Sequence, residues 1–295
     1  MKSRQKVFIV ITAIILGTFL TWYLQVYKNH TTTPPKKSLI ASIPPVKYIV
    51  YQIVGDDFNI TTLLSEGMSP ETYEPTPKEI IATSDAQMIF TTGLLDFENT
   101  IVNKIHDTSN AIIADLSAGI KLIDGNDSHK DNVLHNHGTD PHIWTSFDCL
   151  QVMAKNAYDN IKALYPDSSK YYNNYMQLID NLKDADKYVR EKITQSGINY
   201  ILIYHPALTY YARDYNIRQI ALENEGKEPT ADRMKSIIEQ ARNDSTKTVL
   251  YQKQLNESVV TTIAKDINAE PVAFDPLEED AVQNLLWVTD IITRQ

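Results

Sequence analysis

The stretch from Ser168 to Gln195 reads SSKYYNNYMQLIDNLKDADKYVREKITQ, and it decides the fold. Its apolar residues recur every three or four positions, which is the pattern of a helix with one buried stripe. The stripe consists of Tyr171, Tyr175, Leu178, Leu182, Ala185, Val189 and Ile193. At a rise of 1.5 Å per residue the helix would span roughly 40 Å, and Gly197 marks its end. A helix this long in mid-chain predicts a connection between two lobes.

On both sides of this helix, short apolar runs alternate with helical patterns, which predicts an α/β fold with mostly parallel sheets. The predicted strands are residues 38–42, 59–64, 86–92, 111–115, 199–204, 217–222, 247–252 and 270–274. The clearest helical patterns are residues 45–54, 77–84, 147–164 and 257–267. We therefore predict two Rossmann-like lobes, residues 38–167 and 197–295, joined by one long α-helix at residues 168–196.

The composition is that of a globular protein with one large or two ordinary domains, since 43% of the 295 residues are hydrophobic and 22% are charged. A net charge of -9 argues against a nucleic-acid partner, which requires a basic face. The one cysteine, Cys149, excludes an intrachain disulfide or thiolate cluster and is predicted to be a small buried side chain rather than a reactive thiol. Any metal site must therefore use nitrogen and oxygen ligands.

The N-terminal segment predicts export. Lys2, Arg4 and Lys6 precede an apolar run at residues 7–24, as in a secretory signal or a signal anchor. The run is about long enough to cross a bilayer, and bulky residues without a cysteine follow it, which favours an uncleaved anchor. We predict that residues 1–37 form the signal or anchor with its linker. The rest of the chain would face the extracytoplasmic side, because the basic head stays inside.

Four of the seven histidines lie between Asp127 and Trp144, in the sequence DSHKDNVLHNHGTDPHIW. Imidazole is the commonest metal ligand near neutral pH, so this cluster suggests metal binding. The alternative is a solvated loop that happens to be rich in histidine. Three members lie in the polar part of the stretch, namely His129, His135 and His137. His142 instead follows Pro141, and Asp140 either orients its ring or caps the next helix.

Polar residues next to proline also follow predicted strands. His205 precedes Pro206 after one strand, and Asp275 precedes Pro276 after another. Ligands collect at the carboxyl ends of such strands, and proline stiffens the loops there. A loop at residues 69–77 with three prolines offers Glu71 or Glu74 in the same way. Taken singly these residues would be a core histidine, a turn aspartate and a solvated glutamate, but together they predict a site.

Several motifs occur in a fixed order along the chain. They are SIPP (42–45) followed by Lys47-Tyr48, PETYEPT (70–76), DPHIW (140–144), YHPAL (204–208), EGKEPT (225–230) and DPL (275–277). In these motifs the chain after about residue 38 resembles the metal-binding substrate receptors of bacterial zinc and manganese ABC importers. The resemblance implies two α/β lobes tied by one long helix, with the metal between them. It implies four ligands, namely Glu71, His142, His205 and Asp275, and an accessory metal loop with His129, His135 and His137.

Two of these positions bear on the choice of metal. Most members of the family carry histidine where this chain has Glu71, and manganese receptors usually carry glutamate where it has His205. Two imidazoles with two carboxylates suit tetrahedral zinc, whereas manganese prefers more oxygen ligands. The resemblance therefore implies zinc, with manganese as the alternative.

The function predicted from the sequence is high-affinity zinc binding outside the cytoplasm, for delivery to the permease of an ABC importer. The protein would act as a monomer and not as an enzyme. A manganese receptor of the same family, a zinc hydrolase and a metal-dependent adhesin are the alternatives. In a hydrolase Glu71 or Glu74 would serve as general base, but the sequence has no H-E-x-x-H motif.

Overall fold

The computed structural model describes residues 15–23, 37–65, 67–105, 109–124, 138–223, 230–243, 246–252 and 257–294. The chain forms two units, Met1–Lys36 and Lys37–Gln295. In the first unit residues 15–23 are helical. Within the described ranges, no helix is both long and apolar enough to span a membrane. Much of the predicted signal or anchor lies outside those ranges, so it stays a prediction.

The first sheet has four parallel strands in the order β2-β1-β3-β4. They are β1 (Ser38–Ala41), β2 (Asn59–Thr62), β3 (Met88–Thr91) and β4 (Ile112–Asp115). The helices between them are α1 (Pro44–Val54), α2 (Pro77–Ser84) and α3 (Asp96–Ile105). The two central strands, β1 and β3, are almost wholly buried and carry continuous apolar runs, as expected for a parallel sheet covered on both faces.

Two helices follow the first sheet, α4 (Phe147–Leu164) and α5 (Ser169–Ser196). The Ser146 and Ser168 hydroxyls cap their amino ends by accepting backbone N–H groups. The long helix α5 has 28 residues and ends at Gly197, whose φ of 68° is in the left-handed region that favours glycine. The predicted apolar stripe is buried, apart from Tyr175, which is half-buried.

The second sheet repeats the strand order of the first as β6-β5-β7-β8, again all parallel. Its strands are β5 (Tyr200–Ile203), β6 (Arg218–Ala221), β7 (Thr248–Gln252) and β8 (Glu270–Phe274). The helices are α6 (Thr209–Asp214), α7 (Ala231–Asn243), α8 (Glu257–Ile267) and α9 (Ala281–Ile292). All eight predicted strands are present, with ends that differ by no more than two residues. The predicted α/β fold with two parallel sheets is confirmed.

The two sheets are joined by a shared hydrophobic core as well as by helix α5. One face of the second sheet, with Ile203 and Phe274, belongs to the same hydrophobic core as the first sheet, while the other face packs on α7 and α8. Helix α5 packs on α1, α4 and α9. The indole Nε1 of Trp144 donates a hydrogen bond of 2.8 Å to the carbonyl of Pro276 in the second half. The lobe boundaries at residues 167 and 197 stay a prediction, because this core runs across them.

Candidate metal centre

The carboxyl ends of the four strands of the second sheet meet at one cavity. His205 lies two residues after β5, Glu223 two residues after β6, Gln252 ends β7, and Asp275 directly follows β8. All four line the cavity, whose volume is about 260 Å³. This is where parallel α/β sheets collect their ligands.

The first half of the chain contributes Glu71 to the same cavity. Glu71 lies in the loop between β2 and α2, and Thr76 anchors the end of that loop. The Thr76 hydroxyl accepts the N–H of Glu79 while the Glu79 carboxylate accepts the N–H of Thr76, which is a capping box. The side chain of Glu71 is 59% exposed. Glu74, the other candidate in this loop, does not line the cavity.

His142 reaches the cavity from the segment that enters α4, and it is buried. Asp140 accepts a hydrogen bond from the backbone N–H of His142 at 2.8 Å, and its Oδ1 lies 2.9 Å from Nδ1 of the ring. Burial alone would raise the pKa of Asp140, but the charge and hydrogen bonds of His142 lower it below its usual range. Asp140 therefore orients the ring, and Ser146 caps the helix.

His205 has the same arrangement with a different partner. Its Nδ1 lies 2.6 Å from Oε1 of Glu223, and both side chains are largely buried. Burial by itself would lower the pKa of His205. The hydrogen bond and charge of Glu223, together with the charges of Glu71 and Asp140, outweigh burial and raise this pKa above its ordinary value. An ionised carboxylate only accepts hydrogen bonds, so Nδ1 of each ring carries the proton and Nε2 presents a lone pair.

The two Nε2 atoms face each other across the cavity. Nε2 of His142 lies 3.4 Å from Nε2 of His205, and Oε1 of Glu71 also lies 3.4 Å from Nε2 of His205. Asp275 lines the cavity, and its Oδ1 accepts the N–H of Leu277 at 2.9 Å. In the part of the chain that the structure describes, no three His, Cys, Asp or Glu side chains are already arranged to hold a metal ion. The structure nevertheless places Glu71 and His142 each beside Nε2 of His205, with Asp275 at the cavity wall.

The predicted histidine loop cannot be placed in the structure, and one residue of the cavity was not predicted. His129, His135 and His137, predicted as an accessory loop, lie outside the described residues, as does most of the EGKEPT motif. Glu223 is the site residue that the sequence reasoning missed. It directly follows a predicted strand at residues 217–222, as His205 and Asp275 follow theirs, but no proline comes after it.

Two parallel sheets with the same strand order, and a cavity with histidine and carboxylate side chains from both halves of the chain, define a two-lobed α/β binding protein. The family model for the zinc-uptake complex component A, periplasmic, matches residues 39–290, and the chain belongs to this family.

Individual relatives agree with this assignment. The chain is 24% identical over 280 residues to the zinc-binding lipoprotein AdcA of Streptococcus pneumoniae (strain ATCC BAA-255 / R6), covering 90% of this chain and 55% of that protein. It therefore spans about half the length of that relative. It is 25% identical over 252 residues to the high-affinity zinc uptake system protein ZnuA of Bacillus subtilis (strain 168), covering 82% and 79% of the two chains. A crystal structure of ZnuA superimposes with a TM-score of 0.79 at 28% identity, covering 87% of this chain and 98% of that one.

Proposed function

We propose that this protein binds Zn²⁺ outside the cytoplasm and delivers it to the permease of an ABC importer. The metal is the cargo and not a resident cofactor. The observation that carries the proposal is the pair of buried imidazoles, His142 and His205, whose Nε2 atoms face each other at 3.4 Å. Membership of the zinc-uptake family and the two relatives with zinc in their names support the same cargo.

The spacing of the donor atoms supports zinc geometry. In a tetrahedral zinc site with bonds of 2.0–2.1 Å, any two donors lie roughly 3.3 Å apart. The distances from Nε2 of His205 to Nε2 of His142 and to Oε1 of Glu71 are both 3.4 Å, which matches two edges of such a tetrahedron. Asp275 would supply the fourth donor by turning its carboxylate from Leu277 toward the metal.

The charges of the four proposed ligands, Glu71, His142, His205 and Asp275, suit a metal-binding receptor. Two neutral imidazoles and two carboxylates balance one dication, so the loaded site carries no net charge among its ligands. Four protein ligands leave no open position for an activated water, which distinguishes the site from that of a hydrolase. Glu71 faces His205 as a ligand would, and we assign it no role as a general base. Manganese remains the alternative cargo, since carboxylate oxygen also suits that ion.

The proposed location and partners rest on the family. Its description as a periplasmic component supports an extracytoplasmic site of action. A relative described as a lipoprotein supports attachment to a membrane surface, and we propose that an N-terminal anchor provides it here. The importer permease and a monomeric state are further parts of the proposal.

Elemental analysis of the purified protein tests the cargo, followed by calorimetric competition between Zn²⁺ and Mn²⁺. We expect about one zinc per chain and preference for zinc over manganese. Tighter binding of manganese would overturn the assignment. A crystal structure with an ordered water on zinc and Glu71 away from the metal would instead favour the hydrolase.

A further inference from the structure

Glu223 is held beside His205 by the pairing of two strands. Strands β5 and β6 run parallel with Ile203 opposite Ala221, so the residues two positions later, His205 and Glu223, also lie side by side. The ladder continues past the strands, because the N–H of Glu223 donates to the carbonyl of Tyr204 at 3.0 Å. The backbone of Glu223 is therefore fixed with respect to that of His205.

The side chain of Glu223 is also fixed, and it is directed at one ring nitrogen. It is 7% exposed, and its Oε1 lies 2.6 Å from Nδ1 of His205. A carboxylate in this position keeps the proton on Nδ1 and directs the lone pair of Nε2 into the cavity. The opposite tautomer would place an N–H on Nε2, facing His142, and could not bind a metal through that atom.

His142 is held in a different way from His205. Asp140 is two residues away from His142 and holds both its ring and its backbone N–H. A change at Asp140 would therefore disturb the backbone of the segment as well as the ring. Glu223 reaches His205 from a neighbouring strand, 18 positions along the chain, through the side chain. Substitution of Glu223 thus isolates the effect of the carboxylate on the imidazole.

We propose that Glu223 is a positioning residue for the cargo metal, and this rests on the proposed function. It fixes the orientation and the Nδ1–H tautomer of His205, and its charge strengthens Nε2 as a donor. Carboxylates behind metal-bound histidines raise ligand basicity in this way, and their loss typically lowers metal affinity by about 10- to 100-fold. Glu223 also adds negative charge near the dication without being one of the four ligands.

The test compares Glu223→Gln and Glu223→Ala with the wild-type chain by zinc titration calorimetry. Glutamine keeps an oxygen that can accept from Nδ1 but removes the charge, so we expect affinity to fall about 10-fold; alanine removes both, and we expect a fall nearer 100-fold. Glu278→Gln is the matched control. It removes one negative charge from an exposed residue three positions after Asp275 and should leave zinc affinity unchanged.

A second measurement separates positioning from a general structural role. Long-range ¹H–¹⁵N NMR spectra of the zinc-free protein report which nitrogen of His205 carries the proton. We expect Nδ1–H in the wild type and in Glu223→Gln, and a shift toward Nε2–H in Glu223→Ala. Wild-type affinity in Glu223→Ala, or Nε2–H in the wild type, would overturn the proposal. If the wild type bound no zinc, the proposed function would fail. The NMR spectra of the zinc-free protein would still show whether Glu223 fixes the tautomer of His205.

Discussion

Nε2 of His142 and Nε2 of His205 lie 3.4 Å apart, although 63 positions separate the two residues in the sequence. Each ring is held from behind by a carboxylate, Asp140 or Glu223, so both rings direct a lone pair at the same point. Two facing lone pairs repel each other unless a cation lies between them. The spacing of the pair fits two ligands of one zinc ion, as the proposed function requires.

Replacement of either histidine should abolish most of the zinc affinity. We expect His142→Ala and His205→Ala each to weaken binding by more than about 100-fold, since a lost ligand costs more than a lost supporting residue. Deletion of residues 129–137 should leave the affinity of the site nearly unchanged, because none of the four proposed ligands is in that segment. Titration calorimetry measures all three. Loss of binding in the deletion alone would place the metal in the histidine-rich loop instead.

Glu71 should influence which metal is preferred. Glu71→Ala should weaken both zinc and manganese, since it removes one donor and one negative charge. Glu71→His should retain zinc, which accepts three imidazoles, and should lower manganese affinity more strongly, because manganese prefers oxygen. Competition titrations give the ratio of the two affinities. An unchanged ratio in Glu71→His would show that Glu71 is not a ligand, and Glu74→His, outside the cavity, is the control.

Zinc affinity should fall as the pH is lowered toward 6.5 and below. The pKa of His205 is raised above the ordinary histidine value of 6.5, because the hydrogen bond and charge of Glu223 outweigh the opposing effect of burial. Its imidazole is therefore protonated at a higher pH than a free histidine, and metal binding must displace that proton. Titrations between about pH 8 and 5 should show the decline beginning above 6.5. A constant affinity over this range would contradict a histidine site.

Much of the fold was predictable because the strands are short apolar runs bounded by polar residues. Strand β8 was predicted with its observed ends, Glu270 and Phe274, and α5 was predicted from its stripe and from Gly197. Helix α6 has six residues, too few for a helical period to be distinguished from a loop. The shared core was not predictable either, since periodicity identifies a buried face without showing what covers it.

The site was predictable to the extent that strand ends and proline-flanked residues mark it. His142, His205 and Glu71 were identified in this way, and the structure brings them together. Glu223 was missed, because only the pairing of β5 with β6 places it beside His205. The sequence contains the residues on both strands but not the register between them.

A second buried carboxylate, Glu98, should contribute to stability rather than to metal binding. It is 1% exposed and accepts hydrogen bonds from the N–H and hydroxyl of Thr92 and from the N–H groups of Leu94 and Leu95. Burial raises its pKa even though these bonds oppose the rise. Glu98→Gln would turn an amide NH₂ toward one or more of these donors, and we expect a loss of about 1–3 kcal/mol in the free energy of unfolding.

Urea unfolding of Glu98→Gln measures this loss, and Glu278→Gln is the exposed control. Since the pKa of Glu98 is raised in the folded state, its ionisation opposes folding. The folded state gains from the protonated carboxyl at low pH and loses that contribution as the pH rises through the raised value. The difference between the wild type and Glu98→Gln should therefore vary with pH above 4.5, the ordinary value. A pH-independent difference would indicate that Glu98 keeps one protonation state throughout.

Trp144 should report zinc binding directly. Its ring centroid lies 5.3 Å from that of His142, and its Nε1 donates to the carbonyl of Pro276. Metal on His142 should change the emission of this buried indole, and Trp144→Phe should remove the response while retaining zinc affinity within a few-fold. The hydrogen bond lost in Trp144→Phe leaves the Pro276 carbonyl unpaired and should lower the free energy of unfolding by about 1–3 kcal/mol.

Trp287→Phe, at an exposed indole, is the control for the emission change. A zinc-dependent emission change that survived in Trp144→Phe and vanished in Trp287→Phe would place the metal away from His142.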